Sequence, residues 1–81
     1  MKNYKKYKDI FIKKLEIKPS KFKESIKYND IPEWDSIGHM GLMSALEETF
    51  KITLKTDDIV DFSSFQKGIK ILKKYKINLE K

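Results

Sequence analysis

Three residues near the middle of the chain, Asp35, Ser36 and His39, are of types that could do chemistry together. A serine with a histidine one helical turn beyond it suggests a nucleophile and its base, because side chains three apart on a helix can face each other. That reading also needs a carboxylate to orient the imidazole and donors for an oxyanion, and the neighbouring sequence places neither in evidence. A small hydrolase built on Ser36 and His39 is therefore set aside, and His39 is read as solvated or as a neighbour of whatever Ser36 carries. One histidine in a chain without cysteine cannot build a metal site. What remains is an exposed serine at the mouth of a helix with no catalytic partner, which is a place where something is attached. Asp35 supplies the N-cap of that helix, accepting hydrogen bonds from its first free backbone donors.

The helix behind Ser36 extends to about Phe50. Ile37, Met40, Met43, Leu46 and Phe50 keep the helical step, and Leu42 and Ala45 widen the apolar face. Met40 and Met43 are assigned to the core, or to an adaptable lining for the attached group. Gly38 and Gly41 interrupt the pattern at ~0.5–1 kcal/mol each relative to Ala, so each calls for a reason, such as a partner or cofactor approaching the backbone closely. Upstream, Tyr4, Tyr7, Ile10, Phe11 and Leu15 alternate with lysines at three- and four-residue steps, predicting an amphipathic helix stopped by Lys18-Pro19. Residues 18–34 show no period and form a long loop, pinned to a core by Phe22, Ile26, Tyr28 and Ile31, with Trp34 read as packing.

Downstream, residues 56–62 read as a short helix with Thr56 as cap and acids in the first turn. Ser63 and Gln66 offer a capping box. The last helix then carries Phe65, Ile69 and Leu72 on one face, with Tyr75 as a further candidate, and runs into a Lys-rich tail. The expected fold is all-α: a four-helix bundle with three longer helices, one short helix and a long first loop, in a single domain over residues 1–81.

The chain of 81 residues leaves little room for a deep active-site cavity. Its net charge of +6 is unevenly spread: residues 1–27 carry +7, residues 28–50 carry −5 and residues 51–81 carry +4. All of the basic residues are Lys, so the guanidinium groups that read guanine and stack on bases are missing, and no nucleic-acid partner is expected. The positive charge is read as a solvated surface. The N-terminal residues form no signal peptide, and no stretch approaches the ~20 apolar residues of a membrane span. A cytoplasmic monomer without stable membrane insertion is the expectation.

Glu33-Trp34-Asp35-Ser36-Ile37-Gly38-His39-Met40, the run Ala45-Leu46-Glu47-Glu48-Thr49-Phe50 and the stretch from Asp57 to Phe65 together resemble the acyl carrier proteins and their peptidyl and D-alanyl relatives. The family's Asp-Ser-Leu motif stands here as Asp35-Ser36-Ile37. The resemblance implies an acyl-carrier-like bundle, not itself an enzyme, in which Ser36 carries 4′-phosphopantetheine transferred from coenzyme A by a phosphopantetheinyl transferase. The arm's thiol would hold an acyl or aminoacyl group as a thioester, in a chain that has no thiol of its own. The implied partners are that transferase, an acyl- or aminoacyl-loading ligase and a downstream transferase or synthase. Ile37, Met40, Glu47 and Glu48 are the implied docking residues. The acids common two and five positions beyond the serine are here Gly38 and Gly41, and the chain lacks the family's net acidity. It therefore looks more like the stand-alone carriers of specialised pathways than like a housekeeping fatty-acid carrier. The alternative, from a different class, is an unmodified basic helical module for an anionic membrane surface, a nucleic acid or an acidic protein, using the first and last helices.

Overall fold

The computed structural model describes residues 2–79. Over them the chain forms helices α1 (Lys2–Lys14), α2 (Ser36–Phe50), α3 (Thr56–Asp61) and α4 (Phe65–Lys74), with a 3₁₀ turn at Pro19–Lys21. The fold is thus all-α, a small bundle of three longer helices and one short one with a long first loop, as the periodicities predict. Met1, Glu80 and Lys81, which the single-domain reading and the Lys-rich tail include, lie outside the described residues. Among the described residues no helix is long and apolar enough to cross a membrane.

An aromatic cluster stands at the centre of a core otherwise made of Leu, Ile and Met side chains. Tyr7 and Phe11 from α1, Trp34 from the loop, Phe62 from the end of α3 and Phe65 from the start of α4 are all buried. Phe11 lies at the centre, with ring centroids 5.0 Å from Tyr7, 5.3 Å from Trp34, 4.9 Å from Phe65 and 6.3 Å from Phe62. Such edge-on and offset contacts add to the burial of large apolar area. The Tyr7 hydroxyl donates to the Phe65 carbonyl at 2.7 Å, and burial pushes its pKa well above the usual tyrosine range, so it stays a neutral donor. Gly68 lets α4 close on this cluster, because a Cβ there would overlap the Tyr7 hydroxyl and the Phe62 ring.

The long loop is stitched to the α3–α4 junction by backbone hydrogen bonds, Tyr28 N to Ser63 O at 2.9 Å and Phe65 N to Ile26 O at 3.0 Å. They include an isolated bridge between Lys27 and Ser64 and put Ile26 in the core. This stitching also corrects the expected capping box. Ser63 is held by its carbonyl to the loop, and Ser64 caps α4 instead, its Oγ accepting from Lys67 N at 2.9 Å. Gln66 reaches back to the Glu24 carbonyl. Likewise Thr56 is the first residue of α3, not its cap; the cap position is Lys55, with no side-chain hydrogen bond.

Three helix ends share one device. Glu16, Lys51 and Lys76 adopt left-handed backbone angles (φ 54°, 56° and 65°), and the isoleucine after each donates its N–H five residues back: Ile17 to Ile12, Ile52 to Glu47, Ile77 to Leu72. This is the Schellman closure. It ends α1 at Lys14, before Pro19 is reached, which corrects the expectation that proline stops the helix. It also turns the C-terminal segment back onto α4, so that Ile77 and Leu79 are buried where the sequence suggested only a charged tail.

The short α3 is held by its second acid. Asp58 is buried, accepting from Lys74 Nζ at 2.6 Å and from the Tyr75 hydroxyl at 2.5 Å, while that hydroxyl accepts from Lys55 N at 2.9 Å. The hydrogen bond from Lys74, then that from Tyr75, holds the Asp58 carboxyl below its ordinary pKa of 3.8, and the Lys74 amine is raised by the same bond. A depressed carboxylate contributes stability that is present above its unfolded pKa and lost as pH falls through the folded one. Asp58→Asn is therefore expected to lower the melting temperature at neutral pH. Its deficit from wild type should shrink as pH is taken below 3.8. Parallel melting curves at all acid pH values would contradict this.

Candidate functional site

The site is built from Trp34 outward. Asn29, in the left-handed region that asparagine tolerates, turns the loop, and its N–H bonds to the Trp34 carbonyl at 3.1 Å. With the indole in the core, the chain must emerge at the next residue. Asp35 does so in an extended conformation and caps α2: Oδ1 accepts from Gly38 N at 2.8 Å and the backbone carbonyl accepts from His39 N at 2.7 Å. Ser36 is then the first residue of α2 and exposed. Gly38 has an internal reason, since a Cβ there would run into the Glu33 carbonyl as the loop crosses the helix start. Gly41 has none within the fold; the space where its Cβ would stand is open.

His39 is half-buried, which corrects the solvated reading. Its Nδ1 accepts from the Trp34 indole N–H at 2.9 Å, and its Nε2 lies 2.8 Å from the Ile59 carbonyl. The indole nitrogen is a donor only, so the ring that satisfies both contacts carries its hydrogen on Nε2 and donates it to Ile59. Both nitrogens are thereby engaged away from Ser36, and the geometry does not place His39 as a base for the serine.

Beside Ser36 lies a groove of about 320 Å³ between α2 and α3, lined by Tyr28, His39, Met40, Val60 and Phe62 among others. The large apolar side chains that the described residues leave exposed are Ile37 (83%), Val60 (74%), Met40 (52%) and Tyr28 (38%). Three of them line this groove and the fourth follows Ser36 in the chain. Met40 is therefore on the surface, against its assignment to the core, whereas Met43 is buried as read.

The expected docking residues separate. Ile37 and Met40 flank Ser36. Glu47 is half-buried and turned inward, its carboxylate accepting from Leu54 N at 2.7 Å and so fixing the α2–α3 connection. Glu48 is exposed twelve residues along α2 from Ser36, about 18 Å at 1.5 Å per residue. His39 has one partner, Trp34, five residues away, but its other, Ile59, lies twenty residues off and that of Glu47 seven, and no local pattern announces those two. Among the described residues no cluster of three His, Cys, Asp or Glu side chains is placed to hold a metal ion.

Comparison with known proteins gives no match: no family model, curated protein or solved structure matches the chain.

The two glycines of α2 are expected to respond in opposite directions. Gly41→Ala should raise stability by ~0.5–1 kcal/mol, the ordinary helix preference in open space. Gly38→Ala should lower it by about 1–3 kcal/mol, since Glu33 or the helix entry must shift to admit the methyl group. Urea denaturation midpoints of the two variants decide the point, and equal shifts would mean that the Glu33 approach is not fixed.

Proposed function

We propose that this chain is a stand-alone acyl or aminoacyl carrier of the acyl carrier protein type, cytoplasmic and monomeric, with Ser36 as its attachment residue. The observation that carries the reading is the gathering of Tyr28, Ile37, Met40 and Val60 around one exposed serine. A surface that leaves its large apolar side chains in one place marks a contact site. Here that place surrounds a hydroxyl held clear of the core by the Trp34 anchor and the Asp35 cap. Ser36 needs no activation from its own protein if a transferase supplies the base and the metal, which agrees with both His39 nitrogens being engaged elsewhere.

The residues present fit a phosphodiester-linked arm. The N-terminal N–H groups of α2 and its dipole favour an anion at Ser36. The groove toward α3 offers apolar walls to whatever extends from the serine. When bound, 4′-phosphopantetheine would supply the thiol that this cysteine-free chain lacks and, by tethering, would make delivery to a docked enzyme effectively intramolecular. Ile37 and Met40 would seat the transferase, the loading ligase and the downstream synthase in turn, and the open backbone at Gly41 admits a close approach. Of the two glutamates, Glu48 is the exposed one that could steer them, and Glu47 serves the fold instead.

The basic-module alternative is less well supported, because none of these four exposed apolar side chains lies on the Lys-rich α1 or α4. The test is the intact mass after incubation with coenzyme A, magnesium and a broad-specificity phosphopantetheinyl transferase. A gain of one phosphopantetheine is expected on the wild type and none on Ser36→Ala, whose circular dichroism and melting should match the wild type because the side chain is exposed. No gain with several transferases, or a gain on the variant, would overturn the assignment. Salt-sensitive binding to anionic vesicles or nucleic acid would then favour the basic module.

A further inference from the structure

The wall of the groove opposite Ser36 is α3, and α3 has little to hold it. Six residues are too few for a helix to be stable alone, and its cap position, Lys55, makes no side-chain hydrogen bond. Val60 points to solvent, and the apolar anchors of α3 are Ile59, half-buried against the core, and Phe62, buried at the C-cap. The rest of its hold comes from polar side chains that reach it from elsewhere. On the far side these are Lys74 and Tyr75, both bonded to Asp58. On the groove side the hydrogen bond that the described residues show between α2 and α3 is the one from His39 Nε2 to the Ile59 carbonyl at 2.8 Å.

The same imidazole is fixed at its other end. Trp34 is fully buried and its ring lies nearly parallel to that of His39, at an interplanar angle of 17° with centroids 6.2 Å apart. The indole N–H orients the imidazole through Nδ1, and this leaves Nε2–H aimed at α3. The Tyr28 and Phe62 rings meet the imidazole edge-on at 5.6 and 6.2 Å and restrict its rotation. A buried tryptophan thus sets the direction of a histidine, and the histidine bonds across to a helix.

We infer that His39 is a positioning residue: it holds α3 at the separation from α2 that keeps the groove beside Ser36 open, and so governs how a partner seats there. The structural half stands on the hydrogen bonds alone. The functional half rests on the reading of Ser36 as an attachment site.

Two conservative variants separate the two bonds. The amide oxygen and nitrogen of asparagine stand one bond from Cγ, as Nδ1 does, and those of glutamine two bonds away, as Nε2 does. His39→Asn thus keeps an acceptor for Trp34 and loses the bond to Ile59, and His39→Gln does the reverse. Hydrogen exchange of the α3 amides and the Trp34 indole resonance are recorded on both variants and on wild type. The α3 amides of His39→Asn are expected to exchange roughly five- to tenfold faster, as the loss of one hydrogen bond predicts, with the indole resonance in place. His39→Gln should keep α3 protection and move the indole resonance. In the transferase assay at Ser36, His39→Asn should raise KM for the protein several-fold with kcat unchanged, while His39→Gln stays near wild type.

Equal α3 exchange in the two variants overturns the inference, and so does an equal KM. If the wild type accepts no phosphopantetheine, the carrier reading fails by itself, and the exchange comparison still decides what His39 holds.

Discussion

A chain this short, with no cysteine, must draw its tertiary stability from packing, and the packing converges on one ring. Phe11 touches Tyr7 on its own helix, Trp34 from the loop, and Phe62 and Phe65 on either side of the α3–α4 junction. The loop before α2 and the α3–α4 junction are therefore fastened to α1 through this cluster, although no residue of α1 is among those that line the groove. Deleting a buried phenylalanine of this kind costs about 3–5 kcal/mol, against a total stability of about 5–15 kcal/mol for a typical domain. The site and the core are in that sense one object, joined at Trp34.

From Trp34 the dependence runs in a single direction. Its burial forces the chain outward at Asp35, the Asp35 cap fixes the first turn of α2, and the first turn presents Ser36. The indole N–H meanwhile orients His39, which reaches α3. One aromatic side chain thereby fixes both the serine and the opposite wall of its groove. Polar side chains do the rest of the work on α3, with Asp58 on one flank and His39 on the other. An arrangement held by a few directional bonds around a small apolar area opens locally more readily than one held by packing.

Much of this was legible in the sequence where a property is local. The helical step of Leu42, Met43 and Leu46, the Asp35 cap and the oddness of Gly38 all follow from neighbours within four or five residues, and the structure has them where the pattern puts them, whereas Ile37, at the start of the same stripe, is exposed. The rest failed where the deciding partner is remote. Ser63 and Ser64 are equivalent as caps until the loop claims the Ser63 carbonyl. Glu47 is an ordinary surface acid until the α2–α3 connection brings Leu54 N to it. Met40 and Met43 differ in burial, and an apolar period broad enough to contain both cannot say where the stripe ends. One further signal lies in the sequence: Leu15-Glu16-Ile17, Phe50-Lys51-Ile52 and Tyr75-Lys76-Ile77 repeat an apolar, charged, isoleucine triplet at each long helix end.

Those triplets divide the labour of the backbone in an unusual way. The glycines all lie inside helices, two where the fold crowds them and one where nothing does. The left-handed turns that glycine serves best are given to Glu16, Lys51 and Lys76. A side chain in that conformation carries roughly 1–2 kcal/mol of backbone strain, which the isoleucine's hydrogen bond and apolar contact must outweigh. The three helix ends are therefore a reserve. They are positions where the molecule could be hardened by substitution, outside the lining of the groove beside Ser36, and an engineer or a warmer environment would find room there first.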